Sequence, residues 1–498
     1  MNLLNIFPLS SSSILLLIIL VFLIIFFING SSTRSSFNAP PSPTPLPLIG
    51  NLHQLDLKNF YKSLVKLADK YGSIYTLHLG LQKCVVLADY KSMKNALADQ
   101  GDIFCVRYAT ASDQSVSAKL GMTLSEGEMW KQLRRFTLST FRDLGLGKNS
   151  FEEKIIEEAE FLVNVFKSYN CQPFLPNEHL GVAASNLIAM MLFQQRFEHE
   201  DEIFKRFFKV LEKYNEINAT EMIQILNAFP FLKHLPGNHK EFIELHNEMN
   251  TLIQPLIAKI LEQLTEGDVR NYVEAFLVKQ KEEAGNPGSY FHDKNLSRLI
   301  LEMFAGGTET TAVNLQWSLL LMVKYPEIQK RVQEEIDQEI GTERAPRMED
   351  RKKLPYTNAV IHEAVRFANV IPIIQRSNIG DTYLGGYFIP KRTWVMTLLW
   401  SVLRDKTQWE KPDEFNPSHF LNSEGRFVKR DAFLPFGAGR RICPGQSIAM
   451  MELFLFFTTL LQKFKLQAPA HVTDLDITHG TGRILAPKPY KLCAVPRQ

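Results

Sequence analysis

The stretch PFGAGRRICPGQ, Pro435–Gln446, sets one cysteine among three glycines, two prolines and two adjacent arginines, and the apolar run SIAMMELFLFFTTLL follows at once. Glycines let the backbone turn tightly and approach a flat partner closely. Backbone amides and a helix N-terminus stabilise a thiolate. An inert cysteine in a Gly/Pro-rich loop is the alternative, but the full spacing F-x-x-G-x-R-x-C-x-G favours a thiolate site. The residues of this site are Phe436, Gly439, Arg441, Cys443 and Gly445.

The composition of the 498-residue chain is that of a globular protein, with 45% hydrophobic and 22% charged residues. Its net charge of +3 is too small to indicate a nucleic-acid partner. The number of cysteines is odd, and no two stand at C-x-x-C spacing, which argues against a disulfide framework and a zinc ribbon. A reducing compartment with mostly inert thiols is therefore expected for Cys84, Cys105, Cys171, Cys443 and Cys493.

The first 51 residues differ from the rest. No charged side chain precedes Arg34, and Ile14 to Ile28 form an apolar run that, with its flanks, reaches the ~20 residues needed to span a bilayer. Residues 1–33 are therefore predicted to be a membrane anchor that leaves the main body on the cytoplasmic side. A cleaved signal peptide is the alternative, although a basic start and a small-residue cleavage site are missing. Residues 34–51 are proline-rich and predict a stiff hinge before one domain, 52–498.

This domain is predicted to be mainly α-helical with a minor β part. Apolar residues recur at helical spacing in the stretches 150–169, 241–264 and 296–325. Strand-like alternation is shorter and comes late in the chain, in 385–399 and 484–496.

The cysteine loop resembles the haem-binding loop of the cytochrome P450 superfamily. The resemblance implies the cytochrome P450 fold and makes Cys443 the thiolate ligand of haem b. It covers essentially the whole chain, and the segments GEMWKQLRRFTLSTFRDLGLGK and LPYTNAVIHEAVRF are most similar to the vertebrate microsomal family 2.

A second motif, FAGGTETT at Phe304–Thr311, lies inside an apolar helical run. Two glycines within a helix cost roughly 1 kcal/mol each relative to alanine, so a compensating role is expected. One interpretation is a close helix crossing. The other, which matches the acid–alcohol pair of the superfamily, is a loosened helix that leaves room for dioxygen, with Glu309 relaying protons and Thr310 hydrogen-bonding the oxygen. The matching residues are Gly306, Gly307, Thr308, Glu309 and Thr310.

In the motif EAVR, Glu363 and Arg366 share one helix face, and alone such a pair is usually a surface ion pair. The resemblance implies instead a structural network that braces the cysteine loop. His419 is the expected third member, standing where an arginine is usual.

In the motif WKQLRR, Trp130 and Arg134 are four residues apart and can lie on one helix face. A packed tryptophan beside a surface arginine is the ordinary interpretation, whereas in the superfamily this motif contacts a haem propionate. Two haem carboxylates need several donors. The resemblance therefore adds Arg107, Arg376 and Arg441 to the cofactor-binding set.

The activity implied is that of a monooxygenase, which inserts one oxygen atom from O2 into a lipophilic xenobiotic, fatty acid (arachidonic acid included) or steroid. No convincing nicotinamide or flavin fingerprint appears in the sequence. Electrons are therefore expected from NADPH through cytochrome P450 reductase, with cytochrome b5 as a second potential donor, at the endoplasmic reticulum membrane. A basic surface could dock the acidic reductase. Its candidate residues are Lys131, Arg135, Lys429, Arg430 and Arg440.

The expected substrate wall consists of Phe304, Ala305, Ile371 and Ile373 together with the segment NAFPFL, Asn227–Leu232, although apolar side chains at such positions can equally be plain core. Two departures from family 2 fall in the same region. The segment FANVIPIIQRSNIG lacks a common Pro-His pair, and Arg483 stands where apolar residues are usual.

Two other functions stay open. A haem-thiolate isomerase or dehydratase of lipid peroxides would use the same cofactor, but such relatives tend to lack the acid–alcohol pair. A non-catalytic membrane haem sensor or lipid carrier would leave Thr310 without a task. A cysteine hydrolase is disfavoured because no His/Asn constellation accompanies Cys443.

Overall fold

A computed structural model describes residues 14–22, 38–117, 119–145, 149–197, 201–264 and 269–497. Most of the predicted anchor, residues 1–33, lies outside these ranges, and its described part is the exposed helix α1 (residues 14–22). Within the described ranges, no helix combines the length and the apolar character needed to cross a membrane.

The described helices after α1 run in the following order. They are α2 Phe60–Tyr71, α3 Tyr90–Lys94, α4 Ala111–Ser117, α5 Gly127–Asp143, α6 Asn149–Ser168, α7 Asn177–Phe193, α8 Glu202–Asn218, α9 Glu221–Ala228, α10 Asn238–Gln263, α11 Tyr272–Glu282, α12 Asp293–Lys324, α13 Pro326–Glu339, α14 Pro355–Ala368, α15 Leu399–Val402 and α16 Gln446–Lys463. Short 3-10 turns occupy Leu52–Gln54, Pro230–His234, Met348–Lys352, Pro417–Phe420 and Gly439–Arg441, and a π turn occupies Asn95–Asp99.

The three helices predicted from periodicity are confirmed as α6, α10 and α12. Helix α12, with 32 residues, begins where the His292 side chain accepts a hydrogen bond from the Asn295 amide. It ends before Pro326, because proline disfavours helical geometry in the preceding residue. Its length lets it cross the core and pack against α7, α14 and α16.

The β part is small, as predicted. One sheet has the order β1 (Ile74–Leu79), β2 (Gln82–Leu87), β6 (Trp394–Leu398), β3 (Ile373–Ser377), in which only β2 and β6 are parallel. Two further antiparallel pairs join β4 (Thr382–Leu384) to β5 (Tyr387–Ile389) through a tight turn and β7 (Phe464–Gln467) to β8 (Cys493–Pro496) across a long connection. The stretch 385–399, predicted to be strand-like, contains β5 and β6. In the other predicted stretch, 484–496, only the last four residues form a strand, β8.

The predicted hinge is described from residue 38 onward, and this part is docked on the sheets. The Thr76 amide donates to Pro41 O (2.7 Å), the Asn51 amide donates to His78 O (2.7 Å), and the Phe388 amide donates to Asn38 O (2.7 Å). The chain therefore joins the domain before residue 52.

The core lies where α7, α12, α14 and α16 meet. Leu180–Phe193 of α7 and Met450–Gln462 of α16 are buried without interruption, which explains why both helices are apolar on nearly all sides. A second apolar cluster forms around the sheet. The cysteine loop enters α16, while β3 carries Arg376 to the same loop.

Candidate active site

The cysteine loop places Cys443 just before the N-terminus of α16. Its amide donates to Phe436 O (3.0 Å) and fixes the loop as a narrow turn. Burial raises the pKa of the Cys443 thiol, while amide hydrogen bonds from Gly445 and Gln446 oppose that rise. The loop therefore offers a half-buried sulfur whose negative charge is stabilised by backbone donors.

Two loop glycines have backbone angles that favour glycine, with φ of +76° at Gly437 and +69° at Gly439. A Cβ atom on Gly439 would lie 1.6 Å from Leu97 O, so the loop and the π turn are in direct backbone contact. This contact requires glycine at position 439.

Four arginines surround the loop without a carboxylate partner in the described part of the chain. Burial lowers the pKa of Arg107, Arg134, Arg376 and Arg441, that of Arg441 to about 9, and mutual repulsion contributes at Arg107, Arg376 and Arg441. The charges of Arg107 and Arg134 in turn favour the Cys443 thiolate. Buried cations without counter-ions are costly, so the cluster suits an anionic ligand.

The polar atoms of this cluster differ in what they contact. Arg107 Nε and Trp130 Nε1 are buried and have no hydrogen-bond partner among the described residues. Arg134 Nη2 donates to Ile442 O (2.7 Å), and Arg376 Nη1 donates to Gln375 O (2.9 Å). The donors of Arg107 and Trp130 that lack partners in the described chain, with the guanidinium groups of Arg134 and Arg376 beside them, would suit the two carboxylates that a haem presents.

Arg441 has a different environment from the other arginines. Its guanidinium lies 4.0 Å from the Trp130 ring centroid and, among the residues that the structure describes, donates only to backbone carbonyls. The acceptors are Cys105 O (2.6 Å), Met122 O (3.1 Å), Thr123 O (3.5 Å) and Ser125 O (2.6 Å). Its contacts therefore fix Cys105 and the segment 122–125 to the cysteine loop.

The two glycines of α12 have separate environments. A Cβ on Gly307 would lie 2.3 Å from Ile188 Cδ1 of α7, which is the close helix crossing considered above. A Cβ on Gly306 would meet no heavy atom within 4 Å. The helix stays continuous here, and the Thr310 hydroxyl donates to Gly306 O one turn earlier. Gly307 thus serves packing, and Gly306 faces open space.

Glu309 is half-buried and is held from α8, where Asn215 Nδ2 donates to its Oε2. Burial, followed by the charge of Glu212, raises the pKa of Glu309 to about 7, and the Asn215 hydrogen bond opposes the rise. A carboxyl group with a pKa near 7 can both take up and release a proton at neutral pH. No motif pointed to Asn215, because its position depends on how α8 packs over α12.

The pair Glu363–Arg366 is buried rather than on the surface. Two hydrogen bonds of 2.7 Å join the fully buried side chains, and His419 Nδ1 lies 3.2 Å from both Glu363 oxygens. Arg366 also donates hydrogen bonds to backbone carbonyls of the segment 403–414, which precedes the cysteine loop. Its acceptors there are Leu403 O (2.7 Å), Pro412 O (2.8 Å) and Glu414 O (3.0 Å).

The expected substrate wall has mixed surroundings. Phe304 is buried, with ring centroids 4.8 Å from Phe207 and 6.1 Å from Phe193, whereas Ala305, Ile371 and Ile373 are half-buried. Arg483 is exposed, and its Nη1 donates to Asn218 Oδ1 (2.9 Å) at the end of α8.

The five expected docking residues are all exposed. Arg440 Nε nevertheless forms an ion pair with Asp102 (2.6 Å), Arg430 Nε donates to His419 O (2.7 Å), and Lys131 Nζ lies 3.8 Å from Glu128.

Sequence reasoning missed two carboxylates on or beside α12. Glu302 accepts hydrogen bonds from the Met122 and Thr123 amides (2.8 and 3.1 Å). Glu452 of α16 is buried and accepts a hydrogen bond from Thr311 Oγ1 (3.1 Å). Burial raises the pKa of Glu452 to about 8. An acidic residue in an apolar helical run was the signal that could have found both.

Comparison with known proteins gives one family. A family model described as Cytochrome P450 matches residues 40–494. The chain is 45% identical to cytochrome P450 2K6 of Danio rerio over 91% of this chain and 90% of that protein. It is 44% identical to cytochrome P450 2K1 of Oncorhynchus mykiss over 94% of each chain, and 43% identical to cytochrome P450 2C23 of Rattus norvegicus over 93% and 94%.

Proposed function

Because the chain belongs to the cytochrome P450 family and is a monooxygenase of that family, we propose that it binds haem b through Cys443 and oxidises a lipophilic small molecule. The cluster of arginines without carboxylate partners beside the half-buried thiol of Cys443 is the observation that carries this proposal. A haem with a thiolate ligand supplies the activation of O2.

Different residues of the chain would stabilise the thiolate, support the haem macrocycle and bind the haem carboxylates. The Gly445 and Gln446 amides temper the charge of the thiolate, and Phe436, Gly437 and Gly439 shape the loop on which the macrocycle would rest. The haem carboxylates would be held by Arg107, Trp130, Arg134 and Arg376, and Arg441 would fix this wall in place.

Proton delivery is assigned to Glu309 and Thr310. Gly306, whose carbonyl accepts from the Thr310 hydroxyl, faces open space, and the near-neutral pKa of Glu309 suits repeated uptake and release of protons. The Thr310 hydroxyl can pass a proton onward because a hydroxyl both donates and accepts hydrogen bonds. Phe304, Ala305, Ile371 and Ile373 would bind the substrate and exclude water.

Electrons would come from NADPH through cytochrome P450 reductase, with cytochrome b5 as a further donor, through the exposed residues Lys131, Arg135, Lys429, Arg430 and Arg440. Residues 1–33 would anchor the chain in the endoplasmic reticulum membrane with the catalytic domain in the cytoplasm. The substrate class is a lipophilic xenobiotic, fatty acid or steroid.

The test uses the full-length protein with reductase, NADPH and a substrate panel. Cys443→Ala is expected to abolish the red-shifted carbon monoxide band of thiolate haem. NADPH-dependent oxygen consumption separates a monooxygenase from a lipid-peroxide isomerase. Retention of that band in Cys443→Ala would show that the assigned ligand is wrong.

Thr310→Ala and Glu309→Gln are expected to lower product formed per NADPH several-fold, because each removes a group that transfers protons. In the wild type, coupling should fall as the pH rises through about 7, since Glu309 is then deprotonated and cannot donate. Glu309→Gln should lose this pH dependence. Full coupling in Thr310→Ala would contradict the relay.

A further inference from the structure

We infer that Asn215 is a positioning residue for the proton relay, through which helix α8 holds the Glu309 carboxyl group. The inference rests on the relay role proposed for Glu309, and it adds a residue of another helix that the acid–alcohol motif does not contain.

The contact is specific. Asn215 Nδ2 donates to Glu309 Oε2, and within the described chain no other side chain hydrogen-bonds to that carboxyl group. Both side chains are half-buried. A glutamate side chain with several rotatable bonds keeps one orientation only where a partner fixes it.

Helix α8 is itself fixed over the site. Residues Phe207, Leu211 and Asn215 recur every four positions and therefore share one face. Phe207 on that face packs against Phe304 of α12, with ring centroids 4.8 Å apart. At the end of α8, Asn218 accepts a hydrogen bond from Arg483. Asn215 thus projects from a braced element rather than from a loop.

The chemistry of the contact decides where the proton of Glu309 resides. Because the Asn215 NH2 group donates and cannot accept, Oε2 must act as the acceptor. In the neutral acid the proton then lies on Oε1, the oxygen that Asn215 leaves free. The hydrogen bond also stabilises the carboxylate form.

Charge around Glu309 makes this donor important. Glu212 and Glu216, both of α8, raise the pKa of Glu309 together with burial, and no charged group of another described element contributes to the shift. The Asn215 hydrogen bond is the one contribution that opposes them. Without it, the carboxyl group would hold its proton to higher pH and would lose the contact that orients it.

The inference is tested by infrared titration of the protonated Glu309 carboxyl in the haem-loaded, full-length protein without reductase. The Glu309 band is identified by its loss in Glu309→Gln. In Asn215→Leu the midpoint should move upward by about one pH unit, as expected for a lost hydrogen bond to the charged form. Product per NADPH at neutral pH should fall several-fold even though more of Glu309 is protonated, because the carboxyl group is no longer held in one orientation, and KM for the substrate should change little. Asn215→Gln keeps a carboxamide donor. Its titration midpoint and its product per NADPH should therefore lie between those of Asn215→Leu and the wild type.

Asn218→Leu is the matched control, because it removes the contact of α8 with Arg483 but none with Glu309. It should leave the midpoint unchanged. An unchanged or lowered midpoint in Asn215→Leu, or an equal shift in Asn218→Leu, would overturn the inference. If Asn215→Leu does not fold, Asn215→Ala removes the same donor with a smaller side chain.

The two levels of failure are distinct. If Glu309→Gln keeps full coupling, the proposed relay is wrong whatever Asn215 does. If Glu309→Gln uncouples the enzyme while Asn215→Leu changes neither midpoint nor coupling, the relay stands and only the role of Asn215 is wrong.

Discussion

Gly439 shows how one residue can govern the whole cysteine loop. Its φ is +69°, and an added Cβ would lie 1.6 Å from Leu97 O, a backbone atom that cannot move aside by rotating a side chain. We therefore expect Gly439→Ala to displace the loop and to abolish haem binding, measured as the carbon monoxide band per milligram of soluble protein.

Gly425 provides the control for that prediction. Its φ of +74° is nearly the same, but a Cβ there would meet no heavy atom within 4 Å. Gly425→Ala should therefore cost only the backbone term of about 1–2 kcal/mol and keep the haem. Equal damage in the two variants would show that backbone conformation, and not the contact with Leu97, decides the outcome.

At the same scale, residue identity predicted some contacts and not others. Glu363 and Arg366 could be paired from their spacing, since residues three apart meet on a helix. The carbonyls that surround Arg441 could not, because Cys105 lies 336 residues away along the chain. Asn215 was missed for the same reason, as only the crossing of two helices brings it to Glu309.

At the scale of elements, Glu452 links α16 to α12 through the hydrogen bond from Thr311. Its pKa is raised from 4.5 to about 8, so between these values the native state holds a proton that the unfolded chain has released. Stability should therefore fall as the pH rises through this window and level off above about pH 8. Glu452→Gln should abolish this loss. The thermal unfolding midpoint of this variant should therefore rise relative to that of the wild type between pH 5 and pH 8.

Thr311→Val sharpens the test of Glu452. The Thr311 hydroxyl lowers the pKa of the carboxyl group, so its removal should extend the loss of stability to higher pH. Parallel stability curves for wild type and Glu452→Gln across this range would mean that the carboxyl group is already ionised in the native protein.

At the scale of the molecule, the mainly helical class followed from periodicity, and the family followed from motifs in their order along the chain. Sheet order did not, because β2 pairs with β6 more than 300 residues later, and nothing local specifies that register. The docking of residues 38–51 on the sheets was likewise beyond a proline-rich composition, which indicates stiffness but not a partner.

Large apolar side chains are exposed where the N-terminal segment enters the domain. Leu48, Leu81 and Phe231 are 44%, 61% and 62% exposed. Their segments meet, since the Gly80 amide donates to Ile49 O (3.3 Å) and a Cβ on Gly80 would lie 2.9 Å from the Phe229 ring. An exposed apolar patch beside the proposed anchor, residues 1–33, favours contact of the domain with a bilayer.

We therefore expect a variant lacking residues 1–33 to sediment with phospholipid vesicles. Adding Leu81→Ser and Phe231→Ser should weaken that binding several-fold. The carbon monoxide band should persist, which would show that the haem site is intact. Leu261→Ser is the control. Leu261 is likewise exposed, at 57%, but it lies near the far end of α10, roughly 35 Å from the first residue of that helix, Asn238. It should bind as the truncated parent does. Equal binding by the truncated parent and its two substituted forms would show that Leu81 and Phe231 do not contribute to vesicle binding.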